Sequence, residues 1–261
     1  MPPHGPFLAF HMAKAEDITP YDNTRGKTEQ VREMFDNIAP AYDGLNRLMS
    51  LGLDRGWRRK AVGMVAATAP GHIVDIATGT GDFAIALARA IPGATVTGLD
   101  LSQGMIDVGR RKVAAAGLAS RVSLETGDCL ASPLPEGTAD AVTVAFGVRN
   151  FADLAAGYRA MLRMLRPGGM LCVVELSVPE SRLVRPFYNL YTRGIIPAVG
   201  RLVSHDSNAY TYLPRSIAAV ARGRAMTALM EQAGFTDTAY KPLTLGVCTI
   251  YTGIRPSKQE Q

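Results

Sequence analysis

The stretch VDIATGTGDFAIALA, Val74 to Ala88, carries residues whose types and spacing can do chemistry. Asp75 stands four positions before Gly79, the first of two glycines, and Asp100 follows Gly79 by 21 residues at the end of the next apolar run, TVTGLDL. A G-x-G-x-x-A turn between strand and helix, with an acidic residue about 20 positions on for the ribose hydroxyls, is the dinucleotide fingerprint. A pyrophosphate in such a turn is drawn by backbone N–H groups and the helix dipole, and a carboxylate aimed into the turn opposes it. S-adenosylmethionine has no phosphate and brings an ammonium and a sulfonium, so D-x-x-x-G-x-G favours a methyl donor over NAD. Asp100 suits ribose in either case. The run ETGDCLASPLP adds Asp128, an acceptor for an adenine amino group, with the Cys129 N–H beside it. Thr78, Gly79, Thr80 and Gly81 in the turn, with Leu101 and Met105 after Asp100, complete the candidate donor-binding set. Asp75 has a second reading as the cap of its own turn, and Asp128 after Gly127 is also ordinary turn chemistry.

These residues must be held by strand ends, and the chain supplies them. HIVDIA, TVTGLDL, VSLETGD, DAVTVAFG and MLCVVELS are short, apolar, β-branched runs alternating with helical segments, so five βα units fit between 71 and 177. Strands apolar along most of their length imply an α/β fold with a parallel sheet covered on both faces. Upstream, Val31, Met34, Phe35, Ile38, Leu45, Leu48, Met49, Trp57, Ala61 and Val65 recur at helical intervals broken at Pro40 and Gly52. The segment 178–222 is aromatic and helical in character, and the end reads as a helix stopped at Gly234 followed by two strands separated by KPLTLG, a hairpin. One domain of 261 residues is expected: a flexible tail over 1–28, a helical arm over 29–68, a donor-binding core over 71–177, a helical insertion over 178–222, and a closing helix and hairpin over 223–255.

Composition narrows the function. A hydrophobic fraction of 47% fills such a core, and 28 basic against 23 acidic residues give a formal net charge of +5. With no basic run longer than WRRK or GRRK, nucleic acid is excluded as a partner, whereas an anionic membrane surface suits the balance. Cys129, Cys172 and Cys248 are too far apart for a disulfide framework or a metal site, so no metal and a reducing, cytoplasmic setting are expected. No apolar run reaches the roughly 20 residues of a membrane span, and MPPHGPFLAFHM lacks the features of a secretory leader.

The segments FDNIAPAYDGLNRLMSLGLDRGWRR, DIATGTGDFA, GLDLSQGMI, AFGVRNFAD and MLRPGGMLCVVELS, in that order, closely resemble the ubiquinone/menaquinone-biosynthesis C-methyltransferases, and NAYTYLPRSI resembles their later substrate segment. The resemblance runs from about Val31 to Tyr251. It implies the class I, Rossmann-like methyltransferase fold with a mostly parallel seven-stranded sheet ending in an antiparallel hairpin, and S-adenosylmethionine as the donor. Donor contacts carry over to Thr80, Asp100, Asp128 and Cys129. Where the family often has serine, histidine and methionine this chain has Ala145, Asp54 and Leu45, which removes one hydroxyl contact and puts a role for position 54 in doubt.

The implied reaction is methylation of a ring carbon of a polyprenylated demethylquinol, most like demethylmenaquinol, with the benzoquinol precursor of ubiquinone or another small acceptor as alternatives. Arg149 then holds a developing phenolate, unless it merely pairs with Asp153 one helical turn on. Asp206, beside His205, is the candidate base. Tyr42, Phe146, Asn150, Tyr210 and Tyr212 are candidate substrate contacts, Asn150 having a second reading as a helix cap, while Tyr188 and Tyr191 read as core. A polyprenyl tail cannot be lifted whole into water, so work at the inner membrane face is expected, and a homodimer is compatible with the sequence. A dehydrogenase, or a scaffold that keeps the donor fold without catalysis, is the reading from a different class.

Overall fold

The computed structural model describes residues 14–22, 24–131, 134–195 and 207–257. An arm of three helices comes first: α1 (Lys27–Ile38), α2 (Tyr42–Met49) and α3 (Leu53–Ala66). Val31, Met34 and Ile38 of α1 are buried, as are Trp57, Ala61 and Val65 of α3, which follows from their helical spacing. Leu48 departs from that pattern: it is 49% exposed.

Five strands make the parallel part of the sheet: β1 (His72–Ile76), β2 (Thr95–Asp100), β3 (Val122–Thr126), β4 (Ala139–Ala145) and β5 (Leu165–Leu176). β6 (Thr236–Leu243) and β7 (Cys248–Ile254) complete it in the order β3-β2-β1-β4-β5-β7-β6, with β7 antiparallel to both neighbours. The reason the central runs are continuously apolar is that both faces are covered. Ile73, Ala141, Cys172 and Val174 enter one packed layer, and Val74, Ile76, Val142, Val144, Leu171 and Val173 enter the other. α4 (Asp82–Ala90), α5 (Gln103–Ala115) and α6 (Leu154–Met164) are the crossovers. α7 (Arg185–Leu190) runs on into a π-helical turn, Tyr191–Ile195, and α8 (Ser207–Ala219) and α9 (Arg224–Gln232) lead to the final strands.

Four details differ from the sequence reading. The stretch assigned to a flexible tail is packed from residue 14 onward: Ala15 and Ile18 are buried, and Lys27 Nζ donates to the carbonyls of Ala15 (2.5 Å) and Arg149 (3.1 Å). Those ties join backbone to one side chain, so no apolar period announces them. The β3–β4 connection carries only a short 3-10 turn, Cys129–Ala131, where a count of five βα units implies a helix. β5 begins at Leu165, and residues 166–169 loop out between the pairs Ala139–Leu165 and Ala141–Met170. β6 continues through Lys241, Pro242 and Leu243, so only residues 244–247 turn the hairpin.

The strand order reverses between β1 and β4, and a crevice opens at the carboxyl ends of the strands at such a switch point. Gly98 of β2 keeps that region tight. A Cβ there would lie 2.6 Å from Leu124 Cδ2 and 2.8 Å from Thr78 Oγ1. Gly98→Ala is therefore expected to cost about 1–3 kcal/mol by overpacking, lowering the melting temperature by roughly 2–4 °C for each kcal/mol. A calorimetric melt matching the wild type would show that the packing there relaxes freely.

Candidate active site

The glycine turn joins β1 to α4 with left-handed backbone at Gly79 (φ 57°) and Gly81 (φ 76°), which glycine adopts without steric cost. Asp75, one residue before the end of β1, is 1% exposed. Its two oxygens each accept a threonine hydroxyl, from Thr78 and Thr143, both at 2.6 Å. Burial pushes its pKa up to about 6 against those two hydrogen bonds. Asp75 thus organises the turn from behind, and it is not among the residues that line the cavity in front.

Thr80 is also turned inward. It donates to Asp43 Oδ1 (2.6 Å) and accepts from Lys112 Nζ (3.0 Å), while Lys112 also reaches Asp43 Oδ2 (2.6 Å) and Asp82 Oδ1 (2.5 Å). This network ties α2 and α5 to the turn, and nothing in the spacing of Asp43 and Lys112 foretold it.

A cavity of about 750 Å³, counting its open mouth, lies in front of the turn and is lined by Gly79, Asp100, Leu101, Met105, Asp128 and Cys129 of the candidate donor set. Thr78, Thr80 and Gly81 join Asp75 off that wall. Asp100 accepts the Gly79 N–H at Oδ2 (2.8 Å) and the Ser102 N–H at Oδ1 (2.9 Å), leaving lone pairs on both oxygens for a diol. Burial raises its pKa to about 6 against the hydrogen bonds from Ser102 and Gly79. Asp128 Oδ1 accepts the Leu130 N–H (2.9 Å), so the turn chemistry is present on a residue that also faces the cavity. The Cys129 thiol is pushed up to about 12 by burial and stays protonated. A diol acceptor, an apolar wall at Leu101 and Met105 and a second carboxylate fit an adenosine, and among the described residues no basic side chain lines this cavity, as a phosphate would want.

A second chamber, of about 1150 Å³ with its mouth, adjoins the first. Tyr42 and Phe146 line both, so their rings form the shared wall. Phe146 holds φ at 62°, a conformation rare for an aromatic residue, on the turn following β4, where its N–H donates to the Val174 carbonyl (2.7 Å). Trp57 meets it edge to face at 6.1 Å and donates its indole N–H to Thr244 Oγ1 (2.8 Å). Leu53, Leu176, Val184, Phe187, Tyr188, Tyr191 and Ile217 make the rest of the wall largely apolar. Tyr188 and Tyr191, which helical spacing assigned to the core, are chamber residues, because α7 lies along the opening rather than inside the fold. Burial drives the Tyr188 phenol up to about 12.

Arg149 is 6% exposed and lines this chamber. Its Nη1 donates to Glu175 Oε1 (2.9 Å) and to the Phe146 carbonyl, and its backbone N–H donates to Glu175 Oε2 (3.2 Å). Its Nε is buried and has no hydrogen-bond partner among the described residues. Burial would pull the guanidinium pKa down, yet Glu175, Tyr42 and Tyr212 more than offset it, and the pKa is raised. The alternative partner, Asp153, instead caps α6 by accepting the Ala156 N–H (2.8 Å). Glu175 was visible in the sequence as the one charged residue of CVVELS, a strand otherwise apolar, and a carboxylate buried in such a strand requires a cation.

Asn150 is not the helix cap. Its Oδ1 accepts the Tyr212 hydroxyl (3.0 Å), joining α8 to the turn after β4, and it lines the first cavity. Tyr210 and Tyr212 are buried with Met34, Ile38 and Leu45, and they border a small third cavity behind Tyr42 rather than the large chamber. Asp54, doubted as a site residue, lines the chamber with Ser50 and Arg58. His205 and Asp206 lie outside the described residues.

Comparison with known proteins agrees with this geometry. The model of a family described as the ubiE/COQ5 methyltransferase family matches residues 23–255. A demethylmenaquinone methyltransferase of Bacteroides fragilis is 44% identical over 240 residues, 92% of this chain and 98% of that protein. A ubiquinone/menaquinone biosynthesis C-methyltransferase, UbiE, of Geobacter sulfurreducens is 44% identical over 245 residues, 94% of this chain and 95% of that protein. The crystal structure of the cyclase SpnF superposes with a TM-score of 0.66 at 16% identity, covering 88% of this chain and 97% of that one, a likeness of fold alone.

Proposed function

From the premise that this chain belongs to the ubiE/COQ5 methyltransferase family, we propose that it methylates a ring carbon of a polyprenylated demethylquinol, demethylmenaquinol first among the candidates. The observation that carries the acceptor is the apolar chamber sharing the Tyr42–Phe146 wall with the donor cavity and lined by the fixed, almost fully buried Arg149. An aromatic hydroxyl fits there: the ring meets apolar walls, and its oxygen meets a fixed guanidinium.

Bound S-adenosylmethionine supplies an electrophilic methyl on a sulfonium. Carbon is a poor nucleophile, so the acceptor must be the reduced hydroquinone, whose phenolate pushes electron density to the ortho carbon. Arg149, fixed by Glu175, stabilises that phenolate and is too weak an acid to take part as a proton carrier. Asp100 and the Asp128–Cys129 turn hold the donor, and the shared wall aligns the two reactants while keeping water out. One proton leaves for each methyl transferred, and Asp206 remains our candidate to receive it.

We place the enzyme at the cytoplasmic face of the membrane. Supporting this, Leu51, Leu183, Phe187, Leu190 and Leu245 are each at least 68% exposed, and the first and third line or abut the chamber, with exposed Arg182 and Arg185 nearby. Among the described residues no helix is long and apolar enough to cross a membrane, and the contact we propose is with its surface.

The test is methyl transfer from labelled S-adenosylmethionine to short-tailed demethylmenaquinol, its oxidised quinone and the corresponding benzoquinol. Transfer to the reduced naphthoquinol alone is expected. Donor binding without transfer to any quinol would remove the acceptor assignment and Arg149's role with it.

A further inference from the structure

Arg58 on α3 repeats the chemistry of Arg149 from another side of the same chamber. Its Nη1 donates to Asp54 Oδ2 (2.5 Å), and the other Asp54 oxygen accepts the Ser50 hydroxyl (2.7 Å). Its guanidinium carbon stands 5.2 Å from the centroid of the Phe146 ring, the ring that divides donor cavity from chamber. Like that of Arg149, its Nε is buried without a hydrogen-bond partner among the described residues. Among the described residues these two arginines are the basic residues of the chamber's lining, and an oxygen-bearing ring is what two fixed guanidiniums there can hold. Burial opposes the Asp54 charge, but Ser50 and Arg58 prevail and its pKa is lowered, so this carboxylate fixes Arg58 rather than receiving a proton.

We propose that Arg58 is a second acceptor-binding residue, its guanidinium donating to the ring oxygen that Arg149 does not hold, so that the chamber selects a 1,4-dihydroxylated ring. The proposal rests on the quinol reading above. It assigns to the two guanidiniums different tasks: Arg149 stabilises the oxygen that ionises beside the attacked carbon, and Arg58 sets the orientation of the ring in its plane. The Asp54–Ser50 support explains why an aspartate is useful at a position that the sequence alone left in doubt.

The experiment compares two acceptors on the full chain: a short-tailed naphthalene-1,4-diol, and the matching 1-naphthol that keeps only the hydroxyl beside the carbon to be methylated. Arg58→Lys retains a cation beside Asp54 and removes the planar guanidinium that can hold Asp54 and a ring oxygen together. The wild-type preference for the diol, as a ratio of kcat/KM, is expected to shrink about tenfold in Arg58→Lys, as loss of one charge-assisted hydrogen bond implies, with the loss falling on the diol. The double variant Asp54→Asn/Arg58→Met, which removes both charges together, reads the same ratio should the lysine variant fold poorly. An unchanged ratio, or an equal loss on both acceptors, overturns the role of Arg58 while leaving the quinol reading intact. Wild-type enzyme that methylates neither acceptor overturns both.

Discussion

Replacing Asp100 by asparagine is expected to weaken S-adenosylhomocysteine binding by roughly 10²–10⁴-fold, the loss of two charge-assisted hydrogen bonds at about 1.5–3 kcal/mol each. The carboxylate presents an acceptor to both the Gly79 and the Ser102 N–H, and an amide puts its NH₂ against one of them. The glycine turn would thus lose support along with the ribose contact. A pH dependence accompanies the loss. The Asp100 pKa is raised to about 6 from its ordinary 3.8, chiefly by burial, so the folded apo-protein holds this proton where the unfolded chain has released it. The contribution to folding is accordingly present below the unfolded value and is lost as pH rises through about 6. Donor binding has the opposite sign, because the ionised form accepts the diol: affinity should fall as pH drops through about 6 in the wild type and lose that limb in Asp100→Asn. Titration calorimetry across about pH 5 to 8, which brackets the raised value, measures this binding limb in both proteins. Affinity within about threefold of wild type, with the same pH profile, would remove Asp100 from the donor site.

For Arg149 the largest effect should fall on turnover. Arg149→Lys keeps the charge but loses the planar fork that grips Glu175, the Phe146 carbonyl and the acceptor together. A drop in kcat of about 10²–10³-fold is expected, the usual result of removing one donor from a developing oxyanion, with donor affinity nearly unchanged. Arg149→Ala is a poorer probe. It strands Glu175, which is 1% exposed, as an unpaired buried carboxylate, and breaking such a pair costs about 3–5 kcal/mol of stability. Arg149→Met combined with Glu175→Gln removes both charges and should recover much of that stability without recovering activity. Steady-state kinetics with melting curves separates the outcomes, and full activity in the folded double variant would leave Arg149 with a structural task only.

Much of the donor side was legible from residue order. Gly79, Asp100 and Asp128 are close to strands whose apolar runs mark their ends, and a parallel sheet gathers strand ends at one edge. What direction a side chain takes was not legible: Asp75 turns to the hydroxyls of Thr78 and Thr143, and Thr80 to Asp43 and Lys112, so none of Asp75, Thr78 and Thr80 lines the cavity. The acceptor side was read less well. Helical spacing placed Tyr188 and Tyr191 in the core, and the resemblance of NAYTYLPRSI to a substrate segment placed Tyr210 and Tyr212 at the acceptor, whereas the structure puts the first pair on the chamber and the second in the packing behind it.

The sequence by itself determined the layered α/β fold, the closing antiparallel hairpin, the glycine turn and the identity of the methyl donor, since each depends on local period, turn chemistry or a short motif. Only the tertiary structure decided that Glu175 and not Asp153 partners Arg149, that Asn150 holds Tyr212, and that Arg58 meets the face of Phe146. Those contacts join residues 26, 62 and 88 positions apart, and at such separations packing of the sheet and arm, rather than local spacing, sets which side chains meet.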